Sequence, residues 1–412
     1  MKEADYLAYS ARTPMTALRR DFNRGVSLYH TPPESLSAAE AAEDADYARY
    51  VLENAYSGYS YYDAELFRRG FAAIRETIAV ARTVTPRALI GLFGAQFDFL
   101  SDGHLAFALE DDGAGFYRKQ QTYVTDLRLA RAGDGYADAA SGAPVRFDAP
   151  LRALPALPQG GEARFLLGVR SKEPVTEVTV WRDADPVTLP VHRIASRETA
   201  ETLLEERYVG DTAVIASAGF VGDDAADLAR FEAAGRRCRG YRRVVWDLSG
   251  NLGGNSEFPK RFLTGLTGGF ADPVRTLALE STLVHAKETG EVRDVPYRLT
   301  EVRGEPAENA GLFAGELHVI LNDRVASSAE LAVAWAASLP RVTFYGCNSL
   351  GIGRFGDLCV YELPHSKILL WCPQKVFLQG IPETFGFEPD FWIDSPDPVS
   401  AVLDCLRTAA AT

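Results

Sequence analysis

The chain has 412 residues, 47% of them hydrophobic and 24% charged, and a formal net charge of −13. That length exceeds one ordinary core and implies two or three domains, with the composition of a water-soluble globular protein. The negative balance argues against nucleic acid or an anionic membrane as main partner, and no run of about 18 apolar residues exists to span a bilayer.

Residues 1–35 lack clear periodicity and end in the turn TPPES. The N-terminal stretch MKEADYLAYSARTPM has no apolar h-region, so a secretory signal is not expected and a cytoplasmic location is. From Leu36 the pattern turns helical, in SLSAAEAAEDADYARYVLENAYSG, YYDAELFRRGFAAIRETIAVARTV and PRALIGLFGAQFDFL. Pro86 suits a helix start, where a missing N–H costs little. Between about 105 and 200, LAFALED, TYVTDLRLA, RFLLGVR, TEVTVWRD and VTLPVHRI read as short strands, and APLRALPALPQGG as an exposed loop. From about 205, strands (AVIASAGF, RRVVWDL, ELHVILN, VTFYG) alternate with helices (DDAADLARFEAAGRRC, SEFPKRFLTGL, SSAELAVAWAASL). CVYELP and KILLWCPQKVFL follow as strands, and PVSAVLDCLRTAA closes as a helix. Such alternation predicts an α/β layer on a mainly parallel sheet. The expected organisation is a helical region over 1–104, a β-rich domain over 105–200 and an α/β core over 201–412.

Five widely spaced cysteines without a CxxC read as reduced thiols, so neither a disulfide framework nor a zinc site is expected. The basic runs RRDFNR and GRRCRGYRR are short and fit solvated helix ends or loops. LGIGRFG contains GxGxxG, but a strand follows where a dinucleotide site needs a helix, so its glycines are read as turn formers.

Four stretches carry chemistry-bearing residues. In NDRVASSAE, Ser327 with Glu330 has the spacing of a capping box, and Leu331, Trp335 and Leu339 mark one buried helix face. A serine there can also face free N–H groups and partial positive charge, which suit a developing oxyanion. DLSGNLGGN, Asp247–Asn255, follows a strand and reads either as a glycine turn or as a loop of N–H groups aimed at an anion. It lacks the Lys-Ser/Thr of a phosphate loop. SDGHLAF places His104 after a turn at a strand start; His30, His192, His285, His318 and His365 have no comparable context. IPETFGFEPD carries Glu383 and Glu388, which by themselves read as solvated loop carboxylates.

Together, DGH, D-L-x-G-N-x-G-G, A-S-S-A-E, L-G-x-G and E-x-x-G-x-x-P-D, in that order, resemble the tail-specific (C-terminal-processing) serine peptidases. The resemblance runs from about residue 50 to 395 and is strongest from Val244 to Asp390. It implies a crotonase-like core and a PDZ-like β-rich domain, although no clear carboxylate-binding loop is found. It selects Ser327 as nucleophile, with Ser328 and either Gly253 or Gly254 donating N–H groups to the oxyanion hole. Many members take a lysine base from an F-G-K-G turn. Here that position is Ile352, which cannot accept a proton. The resemblance is therefore to the branch that includes the tricorn core, which implies His104 as base and Glu383 as its orienting carboxylate. Ser101 and Asp102 are rivals for that orienting role.

The expected activity is peptide hydrolysis through an acyl-enzyme, without metal or cofactor, on short or unfolded peptides. A homo-oligomer is compatible with this reading. Two alternatives keep the fold. One is an apolar-ligand-binding module like those of interphotoreceptor retinoid-binding protein, for which SGYSYY and FDFL would supply aromatic rings. The other is biosynthetic acyl transfer or cyclisation on the same serine.

Overall fold

The computed structural model describes residues 3–12, 30–183, 185–195, 202–270, 272–302, 311 and 313–411; RRDFNR lies outside them. The chain is a mixed α/β protein in two compact units, each assembled from segments distant in sequence.

The helical unit comprises residues 1–117, 274–304 and 352–383. Its helices include Ala38–Ala55, Ala64–Val80 and Pro86–Gln96. Ser37 and Glu40 close a reciprocal capping box on the first of these, and Pro86 sits in the first turn of the third. Phe67, Phe71, Phe93 and Phe97 interlock in their core with Tyr56 and Phe107. The unit also holds a six-stranded antiparallel sheet. Its order is Arg298–Val302, Arg275–Glu280, Leu369–Leu378, Asp102–Ala108 and Gly113–Phe116, with Phe355–Glu362 also on Leu369–Leu378. Tyr59 and Tyr62 of SGYSYY, and Phe97 and Phe99 of FDFL, pack against other rings of this unit.

The sheet unit comprises residues 118–273, 305–351 and 384–412. Five parallel strands run in sequence order: Thr212–Ala216, Arg243–Asp247, Glu316–Leu321, Val342–Gly346 and Phe391–Trp392. The alternation expected from residue 205 is thus realised, and Thr212–Ala216 and Arg243–Asp247 are buried along their whole length as a covered parallel sheet requires. One pair, Trp392 with Ala156, continues this sheet into the β-rich strands. Among the described residues from 118 to 195, all regular structure is strand.

APLRALPALPQGG is not the exposed loop its prolines suggest. Arg152–Gln159 is a strand paired with Glu162–Ser171, with Pro155 opposite Phe165. The register breaks between Ala156 and Gln159, the kind of irregularity at which a strand tolerates proline. Arg236 and Arg237 of GRRCRGYRR end the helix Ala225–Cys238, as expected, but Arg243 is buried in the next strand beside Asp211 and Glu316.

Helices Ala225–Cys238 and Glu257–Thr267 meet through glycines. A Cβ on Gly235 would overlap the Phe262 carbonyl oxygen, and one on Gly265 the Glu232 carbonyl oxygen. The second helix emerges from the Asp247–Asn255 turn, so this contact also sets where that turn lies. Gly235→Ala and Gly265→Ala are each expected to cost about 1–3 kcal/mol in urea denaturation, because backbone must move; unchanged midpoints would contradict the close packing.

Candidate active site

Each unit holds part of the predicted residue set. In the sheet unit, Ser327 stands between the strand Glu316–Leu321 and the helix Ser328–Ala337. Its backbone has φ 52° and ψ −121°, outside the regions ordinarily open to a residue with a Cβ.

The expected capping box does not form: the Ser327 side chain makes no cap hydrogen bond. Glu330 is buried and turned elsewhere. It accepts hydrogen bonds from the Ser349 hydroxyl and from the Gly351 N–H at 2.7 Å. A positive φ at the cap position explains the failure, since a capping serine normally has β-region backbone.

The glycine turn is in direct contact with this serine. Gly253 has φ +90°, and a Cβ there would lie 2.6 Å from the Ala326 carbonyl oxygen, 2.8 Å from the Ser328 nitrogen and 3.0 Å from the Ser327 Cβ. Only glycine fits. Asn251 laces the turn together: its Oδ1 accepts from the Gly253 N–H at 2.8 Å, its Nδ2 donates to the Ser217 carbonyl at 3.0 Å, and its own carbonyl accepts from the Ala326 N–H at 3.1 Å. The Gly253 N–H is therefore committed. Gly254, with φ +125°, is exposed, and its carbonyl accepts from the Ser328 hydroxyl at 2.6 Å.

The loops around Glu330 are tied as tightly. The Ser349 Oγ accepts from the Phe387 N–H at 2.7 Å, and the Gly351 carbonyl accepts from the Thr384 N–H at 2.9 Å. Glu388 binds Arg152 and Arg170, so it is an ion-paired carboxylate and not a merely solvated one.

In the helical unit, His104 lies on the strand Asp102–Ala108, at a register irregularity between Asp102 and Ala106. Asp102 is fully buried. Its Oδ1 accepts from the backbone N–H groups of His104 (2.7 Å) and Leu105 (3.2 Å), and its Oδ2 accepts from the Tyr56 hydroxyl at 2.8 Å. Asp102 thus holds the His104 main chain. The Tyr62 hydroxyl brackets Ser101, donating to its carbonyl at 2.8 Å and accepting from its N–H at 3.1 Å.

The intervening Gly103 is required by space, since a Cβ would overlap the Ile352 side chain. The His104 imidazole hydrogen-bonds the Ile352 backbone. Glu383 is only 9% exposed, contrary to the solvated loop carboxylate its sequence context suggests, and accepts from the Arg354 N–H at 3.2 Å. Both residues are thereby moored to the segment 352–354. Sequence reasoning missed Tyr56, Tyr62, Asn251 and Arg354. Tyr62 and Asn251 hold neighbouring backbone, Tyr56 holds the Asp102 carboxylate and the Arg354 N–H holds Glu383, roles for which no residue pattern in the chain is a signal.

Burial pushes the His104 pKa down to about 4, opposed by its bond to the Ile352 backbone. Burial pushes the Asp102 pKa up to about 6, opposed by its three hydrogen bonds. Burial therefore favours the neutral form of His104 at neutral pH.

No protein-family model and no curated protein matches the chain. Its fold is similar to that of mature CPAF, at 10% identity over 89% of this chain and 96% of that one, with a TM-score of 0.50. It is also similar to a candidate peptidase from Parabacteroides merdae, at 12% identity over 90% and 97%, with a TM-score of 0.48. A third similar structure is the photosystem II D1 C-terminal processing protease, at 15% identity over 88% and 97%, with a TM-score of 0.45. At 10% identity the likeness to mature CPAF speaks to fold alone.

The pH dependence of folding tests the His104 environment. The unfolded imidazole binds its proton below about 6.5 and the folded one only near 4, so the His104 contribution is present above 6.5 and is lost as pH falls towards 4. Asp102 acts in the opposite sense between 3.8 and about 6, so the comparison needs a variant. Relative to His104→Gln, the wild type is expected to lose about 1.4 kcal/mol per pH unit across that window. Parallel stability curves would contradict a neutral, buried imidazole.

Proposed function

We propose that this chain is a serine peptidase that hydrolyses short or unfolded peptides through an acyl-enzyme on Ser327. The observation that carries the reading is the Ser327 backbone: it is held at positive φ against a glycine turn, at a helix N-terminus, with its side chain not used as a cap. Strained backbone of this kind is found where a reactive group must be presented.

In this reading His104 takes the Ser327 hydroxyl proton as the oxygen attacks the peptide carbonyl, then returns it to the leaving amine. Water repeats the sequence on the ester and releases the acid. Glu383 orients the imidazole and favours its charged form. Asp102 and Ser101 act through the His104 main chain. The oxyanion is received by the N–H groups of Ser328 and Gly254, because that of Gly253 already serves Asn251. The parallel-stranded layer is taken as the crotonase-like core of the tail-specific family, in its histidine-base branch, with the β-rich strands as its PDZ-like module. No metal or cofactor takes part.

Ser327→Ala and His104→Ala are each expected to lower kcat on an internally quenched peptide about 10⁴-fold or more, with little change in melting temperature. Unchanged turnover in either would overturn the assignment of that residue. Ile352→Lys is expected not to restore activity to His104→Ala, because the Ile352 side chain is packed against Gly103 and nothing there is arranged to hold an amine. Recovery of turnover would show that the base had been misassigned.

A further inference from the structure

A single exposed leucine on a protein surface needs no explanation. Two exposed apolar side chains on the segments that build one glycine turn are a different matter. Val221 is 68% exposed and Leu252 is 56% exposed. Leu252 immediately precedes Gly253, the residue in contact with the Ser327 backbone. Val221 follows Phe220, which is bridged to Gly254. The Phe220 N–H donates to the Gly253 carbonyl at 3.0 Å, and its carbonyl accepts from the Asn255 N–H at 2.6 Å.

Phe220 spends both its N–H and its C=O on the turn. Among the described residues, neither backbone group of Val221 makes a hydrogen bond. Two open backbone groups at Val221 and two exposed apolar side chains therefore border the turn that touches Ser327.

We propose that Val221 and Leu252 determine specificity: they receive an apolar side chain flanking the scissile bond of an extended peptide, which pairs with the Val221 backbone as an added strand. The inference rests on the peptidase reading and names its substrate class. Strand addition supplies affinity through main-chain bonds that any sequence can make, and side-chain contacts supply the selectivity. Covering two exposed apolar groups with a third removes all of them from water, which a polar or charged substrate side chain cannot do.

The test uses the full chain and internally quenched peptides of one sequence, varied to Leu, Phe, Ser or Asp at the positions flanking the cut. Wild type is expected to cleave the Leu or Phe peptides with kcat/KM about tenfold or more above the Ser and Asp peptides. Leu252→Ser and Val221→Ser should bring that ratio towards one, and Leu252→Met should preserve it. Both positions are exposed, and melting temperatures confirm that the variants are folded. A wild type without apolar preference, or variants that keep the full ratio, overturns the specificity assignment while leaving Ser327 in place. If wild type and Ser327→Ala are equally inert on every peptide, the peptidase reading itself fails and this inference with it.

Discussion

A side chain of even one carbon at position 253 would stand 2.6 Å from the Ala326 carbonyl oxygen and 3.0 Å from the Ser327 Cβ. That contact between a glycine turn and a serine backbone constrains everything around it in the sheet unit. A positive φ at a serine costs on the order of 1–3 kcal/mol and persists only where the surroundings over-determine it. Here they do. The Ala326 N–H is bound to Asn251, the Gly250 N–H to the Asn322 side chain, and the Leu248 N–H to the Ile320 carbonyl. The turn and the serine loop leave the carboxyl ends of adjacent parallel strands, where open α/β sheets place their ligand sites.

Glu330 shows how the strain is used. In the ordinary arrangement it would reach back to cap its own helix. With Ser327 at positive φ that geometry is lost, and the buried carboxylate instead gathers the Ser349 hydroxyl and the Gly351 N–H. Gly386 closes the same cluster, since a Cβ there would overlap the Ser349 carbonyl oxygen. One acidic side chain thus holds Gly351 and, through Ser349, the closing F-G-F-E-P-D turn. The chain leaves the sheet unit at 351/352 and re-enters it at 383/384. Within the helical unit, the stretch between those points supplies Ile352 and Arg354, to which His104 and Glu383 are moored. Burial drives the pKa of His104 down and that of Asp102 up.

Periodicity revealed the four parallel strands from Thr212 to Gly346 and the helices Ala225–Cys238, Glu257–Thr267 and Ser328–Ala337, because a strand buried on both faces and a helix with one apolar face leave different spacings, but it did not reveal Thr282–Thr289. It also revealed Ala38–Ala55, Ala64–Val80 and Pro86–Gln96, but not the helix Glu3–Ala11, which lies in the stretch read as lacking periodicity. It had no means of showing that 274–304 and 352–383 fold with those helices, since neither composition nor spacing marks a return across the chain. Arg152–Gln159 was hidden by two prolines, of which Pro155 pairs in register with Phe165 and Pro158 lies in a register break. The motif order singled out Ser327, His104, Glu383 and the glycine turn as candidates. What it could not supply was the backbone. The spacing of Ser327 and Glu330 is equally good for a cap, and only the dihedral angles and the Glu330 partners separate the two arrangements. The choice of Gly254 over Gly253 likewise depends on where the Asn251 side chain points.

The central claim is that the Ser327 hydroxyl is activated and not merely structural. The most direct measurement is the intact mass of the folded protein after exposure to a fluorophosphonate, with peptide mapping of the modified residue. The account predicts a single adduct on Ser327 in the wild type and none in Ser327→Ala or His104→Ala. A folded wild type that acquires no adduct, or one that acquires it at another serine, would contradict it.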